Sequence, residues 1–101
     1  MKLIIITAVS AFEKQIMDIL HKNQVHSFSY FPVNGYRNSS GESLQNNWFG
    51  SAFHKVESFM FFVFVNATQA ENVFRSVEAL NESCGLESRI HLILNNIEKY
   101  T

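Results

Sequence analysis

The chain has 101 residues, of which 47% are hydrophobic, and its nine acidic and eight basic side chains nearly cancel. This length predicts one domain, residues 1–101, and the near-neutral charge argues against the basic surface that nucleic acid requires. The single cysteine, Cys84, cannot form an internal disulfide, which favours a reducing, cytoplasmic location. No apolar run is long enough to span a bilayer, so we expect a protein that is not membrane-embedded.

The chain opens with a strand and a helix. Leu3–Thr7 is continuously apolar up to its last residue and rich in β-branched side chains, which predicts a central strand. A helix should begin at Ala11, because Ser10 and Glu13 have capping-box spacing, and should end near Asn23. Its predicted buried face comprises Phe12, Ile16, Ile19, Leu20 and Asn23.

The next segment alternates and then becomes polar. Residues 25–36 have the period of a strand, and Pro32 indicates an edge strand or a bulge. Asn34 and Gly35 are typical of a tight turn, although a kink or the mouth of a loop fits them as well. Residues 37–51 are mostly small and polar, and a loop of about fifteen residues tends to be functional. Trp48 and Phe49 within it either fold back onto the domain or contact a partner.

The strongest signal in the chain is a second continuous apolar run. Residues 59–65 are all apolar and mostly aromatic or β-branched, and the strand begins as early as Phe53. No alternation marks a solvent face, so we expect both faces of this strand to be buried. Helices of the same chain can cover one face, and a second copy of the chain is the expected cover of the other.

A second helix and a last strand complete the pattern. Thr68 and Glu71 form another capping-box pair, and Gly85 suits the C-terminal cap of the helix. Its apolar stripe comprises Val73, Phe74, Val77, Leu80 and Cys84. Residues 88–97 alternate, with Arg89 and His91 on the same side, and predict an edge strand with a wetter face.

Together these elements predict an α+β, ferredoxin-like βαββαβ fold, with a long loop between strands 2 and 3. The sheet is expected to be antiparallel and four-stranded, with strands 1 and 3 central and both helices on one face. The opposite face then carries apolar side chains from both central strands, and closed association of two or three copies would cover them.

No motif in the sequence indicates catalysis or phosphate binding by a P-loop, so we expect no enzymatic activity. The histidines lack zinc-ligand spacing to one another or to Cys84. They are either unrelated side chains or parts of a metal site completed across a subunit interface, for which His54 is the candidate. Arg37 and Arg89, near the ends of the edge strands, either bind an anion or are solvated.

One local stretch resembles a known family. Asn34-Gly35-Tyr36-Arg37, followed by Gly41, is similar to the start of the regulatory T-loop in PII-like signalling proteins, of the nitrogen regulatory PII superfamily. Residues 77–80 also resemble the second-helix segment of that family. The resemblance implies a homotrimer with a T-loop-like segment at about 37–55.

The resemblance also implies sites and partners. Ligands would bind in clefts between subunits, and the implied ligand-binding residues are Gly35, Tyr36, Arg37, Gly41 and Arg89. Through Trp48 and Phe49, the T-loop-like segment would contact a membrane transporter or an enzyme. A divalent metal, with His54 as a ligand, fits relatives associated with transport.

Some positions depart from the family pattern. The turn at 84–89 has one glycine and one arginine, and Ser39 replaces the family's magnesium-binding glutamine. Residues 37–55 contain no tyrosine, so nucleotidylation there is not expected. We therefore expect a ligand other than the ATP, magnesium and 2-oxoglutarate of typical members. Two alternatives stay open, a small ferredoxin-like, monooxygenase-like enzyme and a metal-tolerance protein like CutA.

Overall fold

The structure is a computed structural model, and it describes residues 1–38, 53–84 and 89–101. Its strands and helices follow the predicted βαββαβ order. They are β1 (Lys2–Val9), a 3-10 turn (Ser10–Phe12), α1 (Glu13–Lys22), β2 (Ser29–Asn38), β3 (Phe53–Val65), α2 (Ala67–Ser83) and β4 (His91–Asn96). Neither helix is long and apolar enough to cross a membrane, as far as the described residues reach.

The strands form one antiparallel sheet in the order β2-β3-β1-β4. The two continuous apolar runs are therefore the central strands and the two alternating segments are the edges, which confirms the prediction. In the centre of the sheet, Ile5 of β1 pairs with Phe62 of β3 on one side and Ile93 of β4 on the other. Because side chains alternate along a strand, these three residues share one face.

The opposite face of the sheet carries the core. Ile4, Ile6, Phe61 and Val63 are all 0% exposed. Ile16 and Leu20 from α1, together with Ala70, Val73 and Val77 from α2, are buried in the same cluster. Full burial of a large apolar side chain contributes about 1.5–3 kcal/mol, so this layer is the main source of stability within one chain.

The start of α1 differs from the prediction. No side chain of the described residues caps the 3-10 turn or the helix, so the expected Ser10–Glu13 capping box is wrong. Instead, the backbone N–H of Glu13 donates to the Ser10 carbonyl, which draws Ser10 into the turn. The end of the helix agrees with the prediction, since α1 ends at Lys22 and Asn23 is its C-terminal cap. The Asn23 side chain also donates to the Ile19 carbonyl at 2.8 Å.

The N-terminal cap of α2 lies two residues before the predicted one. The Gln69 backbone N–H donates to Asn66 Oδ1 at 2.8 Å, and the Asn66 N–H donates to Gln69 Oε1 at 3.1 Å. The capping box is therefore Asn66 with Gln69, not Thr68 with Glu71, because β3 ends at Val65 and the next residue becomes the cap. Gly85, the expected C-terminal cap, lies outside the described residues.

β2 continues without interruption through the expected turn. Asn34 pairs with Glu57 and Gly35 with Val56, both in the regular antiparallel register. No glycine among the described residues has a positive φ, so the tight-turn interpretation of this dipeptide is wrong. The pairing with β3 supplies hydrogen bonds along the whole strand, and it outweighs the local turn preference.

Candidate functional site

The sheet face opposite the helices, here called the open face, is apolar over most of its area. The strand register assigns to it Leu3, Ile5, Phe31, Val33, Met60, Phe62, Phe64 and Ile93. Phe64 is 58% exposed and Ile93 is 56% exposed, while Phe62 and Ile5 are half-buried. Contiguous apolar surface of this kind usually marks an interaction site. The described part of one chain thus leaves the second face of β3 uncovered, and its expected burial by another copy stays a prediction.

A groove of about 390 Å³ lies at one end of the open face. All four strands and the residues beside them contribute to its lining, which comprises Thr7, Ala8, Val9, Val33, Asn34, Gly35, Tyr36, Val56, Ser58, Met60, Arg89 and His91. Here β1 ends, β4 begins, and β2 and β3 continue toward their connection. The groove therefore lies at the end of the sheet where β2 and β3 lead into the segment that the sequence predicts to be a T-loop.

Three of the predicted ligand-binding residues meet in this groove. Gly35 and Tyr36 come from β2, and Arg89 precedes β4 on the far side of the sheet. Arg37 follows within β2, where its backbone pairs with His54, and the side chains of both residues lie outside the described part. Gly41, like the predicted partner-binding residues Trp48 and Phe49, also lies outside it. Their roles stay predictions.

Gly35 allows β2 to lie close to β3 in the wall of the groove. A Cβ at this position would lie 2.9 Å from Ser58 Oγ and 3.0 Å from the Val56 carbonyl oxygen. Ser58 is buried, and its hydroxyl donates to the same carbonyl at 3.1 Å. Any larger side chain at position 35 would therefore push the two strands apart or displace the serine.

The polar end of the groove is formed by two nitrogen-bearing side chains. Arg89 and His91 are both exposed and are two residues apart, so they lie on the same side of the chain. His91 pairs with Thr7 across the β1–β4 ladder, which brings a hydroxyl beside them. Guanidinium and imidazole N–H groups donate hydrogen bonds, and this donor set suits an anion.

His91 was not among the predicted ligand-binding residues. The signal that identifies it is the alternation of residues 88–97, which already places it on the side of Arg89. No group of three or more His, Cys, Asp or Glu side chains within the described residues could hold a metal ion. The predicted metal role of His54 is not tested by this observation, because its side chain is outside that set.

Sequence comparison finds no matching family model and no matching curated protein. Comparison of the fold does find similar structures. One is CPII, a nitrogen regulatory PII-like protein from Thiomonas intermedia K12, in a structure bound to ADP, AMP and bicarbonate. The two superpose with a TM-score of 0.63 at 12% identity, over 99% of this chain and 94% of the other.

A second similar structure comes from a different organism. A PII-like signalling protein of Thermus thermophilus superposes with a TM-score of 0.59 at 19% identity, over 95% of this chain and 85% of the other. Both matches extend over nearly the whole chain, so they concern the complete βαββαβ arrangement and not one motif. The chain therefore has the ferredoxin-like fold of the PII-like proteins.

Proposed function

We propose that this protein is a PII-like regulator that acts as a homotrimer and is not an enzyme. Its open faces meet in the assembly, a small ligand binds in the groove beside the subunit interface, and the T-loop-like segment, residues 37–55, relays the bound state to a partner. Trp48 and Phe49 in this segment contact that partner, a membrane transporter or an enzyme.

The observation that supports this proposal is the position of the groove. It joins Gly35, Tyr36 and Arg89, which come from two edges of the sheet, and it lies at the foot of the T-loop-like segment. It also lies on the open face, so a copy packed there would border it. A ligand in the groove would then contact both the subunit interface and the residues of β2 that lead into the T-loop-like segment. Ligand binding could in this way change the conformation of the segment that contacts the partner.

The chemistry of the groove favours a small anion. Arg89 and His91 provide donors, and none of the described residues that line the groove, Gly35 and Ser58 of the opposite wall included, is acidic. CPII was crystallised with ADP, AMP and bicarbonate, all anions, and these are the first ligands to test here. The single arginine and single glycine of residues 84–89 still favour a ligand other than ATP with magnesium. A divalent metal, with His54 among its ligands, is the second class to test.

The packing between the helices and the sheet favours this proposal over the monooxygenase-like alternative. Such an enzyme would need a chamber on the helix-covered face. In this chain, side chains such as Ile6, Leu20 and Phe61, all 0% exposed, occupy that layer. The groove of about 390 Å³ lies on the other face, whereas the cavity between α2 and β4 measures about 200 Å³.

Native mass spectrometry tests the proposal directly. The protein is measured alone and then with ADP, AMP, bicarbonate and divalent cations, each added separately. We expect a trimer that takes up one of these ligands in multiples of three.

Arg89→Gln should lower the affinity for an anion about tenfold or more, since a charge-assisted hydrogen bond is lost. Arg75→Gln is the matched control, because Arg75 is an exposed arginine on the outer surface of α2. A dimer, or binding that Arg89→Gln leaves unchanged, would contradict the proposal.

A further inference from the structure

We propose that Asn81 is a positioning residue for the groove: it holds the backbone at Ile90 and thereby directs Arg89 and His91 toward the ligand. The positioning can be measured without any ligand. Its effect on affinity rests on the proposed function.

The contact between Asn81 and Ile90 uses both ends of the side-chain amide. Asn81 Nδ2 donates to the Ile90 carbonyl oxygen at 2.8 Å, and the Ile90 backbone N–H donates to Asn81 Oδ1 at 2.8 Å. Both bonds are partly buried, and the Ile90 side chain is 2% exposed. A paired donor and acceptor on one residue is the pattern that a neighbouring strand would offer, and it sets the orientation of the peptide groups as well as their position.

The location of this contact gives it a role beyond stability. The first residue of β4 to pair with β1 is His91, opposite Thr7, so Arg89 and Ile90 precede the paired part of the strand. Here the side chain of Asn81, near the end of α2, makes the hydrogen bonds to the Ile90 backbone that a neighbouring strand would otherwise make. The Ile90 side chain is buried in the core, and its two neighbours, Arg89 and His91, both line the groove. The same two residues also border a smaller cavity beside Asn81 and Glu78 of α2, so the backbone at Ile90 sets how they are placed between the two.

The chemistry of the contact is specific to an amide. Aspartate at position 81 would keep an acceptor for the Ile90 N–H but would face the carbonyl with a second acceptor. Alanine would remove both bonds and leave two polar groups in a partly buried site without a partner. Either change should free the backbone around Arg89 while leaving the central strands paired.

Amide hydrogen exchange of the full-length protein, without ligand, tests the positioning. In Asn81→Asp and Asn81→Ala we expect exchange at Ile90 and His91 to rise about tenfold or more, and amides of β1 and β3 to stay within about twofold of the wild type. Asn23→Ala is the matched control, since Asn23 also donates a partly buried 2.8 Å bond to a carbonyl at a helix end. Equal acceleration throughout the sheet, or none at Ile90, would overturn the proposal. Asn81→Asp decides the matter if the alanine variant does not fold.

A double-mutant cycle tests the effect on binding, with ADP as the probe, or with AMP or bicarbonate if one of these binds more tightly. Asn81→Ala should weaken binding about tenfold in the wild type and less than about twofold in the Arg89→Gln background, since the two residues act through one another. Equal losses in both backgrounds would show that Asn81 does not act through Arg89. If the wild type binds none of the three probes, the proposed ligand class fails, and the exchange result alone decides the role of Asn81.

Discussion

The two faces of the sheet carry nearly the same kind of side chain but differ in what covers them. Phe61 is 0% exposed beneath the helices, its neighbour Phe62 is half-buried on the open face, and Phe64 is 58% exposed there. Ile4 and Ile5 in β1 show the same contrast. An apolar run without alternation thus predicts that both faces of a strand are covered, and the described part of this chain covers one of them.

The faces also differ in chemistry. Among the described residues, those buried on the helix-covered face are apolar, and the buried polar residue, Ser58, belongs to the open face. The open face combines a large apolar area with one polar end, where Arg89, His91, Ser58 and Thr7 line the groove. Stability within the chain comes from the first face, whereas association and ligand binding are proposed for the second.

The largest expected effect separates the two faces within a single strand. Phe61→Ala should destabilise the fold by about 3–5 kcal/mol, since it removes a fully buried ring from a close-packed layer. Phe64→Ala should cost less than about 1 kcal/mol at low protein concentration, where its ring faces water. Urea unfolding followed by circular dichroism measures both. If both variants lost the same stability at high dilution, cover by the helices would not explain the difference between the two faces.

The next prediction concerns the proposed cover of the open face. Phe64→Asp should dissociate the assembly while each chain stays folded, because an ionised carboxylate in an apolar interface costs several kcal/mol. Size-exclusion chromatography with light scattering gives the mass, and circular dichroism reports the fold. Ala79→Asp adds the same charge to an exposed position of α2 and should leave the mass unchanged. A Phe64→Asp variant with wild-type mass would place the interface elsewhere.

A smaller effect is expected where the open face becomes the groove. Gly35→Ala should destabilise the protein by about 1–2 kcal/mol, because the new Cβ meets Ser58 Oγ and the Val56 carbonyl. Adding Ser58→Ala should recover part of this loss, since it removes the closer of the two atoms. Thermal unfolding of the two single variants and the double variant measures the coupling. Purely additive losses would mean that Ser58 does not cause the strain.

The fold could be predicted from the sequence because hydrophobic periodicity reports burial directly. The runs in β1 and β3 indicate central strands, and the alternation at 88–97 indicates an edge and places Arg89 beside His91. The capping residue of α2 could not be chosen in this way. Thr68–Glu71 and Asn66–Gln69 have the same spacing, and the end of β3 decides between them.

Other features depend on contacts between segments that are distant along the chain. The preference of Asn34 and Gly35 for a turn is local, and their pairing with β3 overrides it. The bonds between Asn81 and Ile90 join a helix to the start of a strand, and no periodicity marks them. The groove itself draws on both edges of the sheet, so only the strand order shows that Gly35 and Arg89 line one site.

The smallest expected effect lies on a third surface, the outer side of the helices, which is polar and exposed to water. Arg75 Nε donates to Glu71 Oε1 at 3.2 Å, with 71% and 55% of the two side chains exposed. Arg75→Gln should cost about 0.3–0.5 kcal/mol, since an exposed i,i+4 ion pair is largely screened by water. Thermal unfolding at low and high salt measures it, and the difference from wild type should shrink at high salt. A loss above about 1 kcal/mol that salt does not reduce would indicate that this helix surface is buried in the assembly. The outer side of the helices would then be an interface as well, and the open face would not be the only surface on which copies associate.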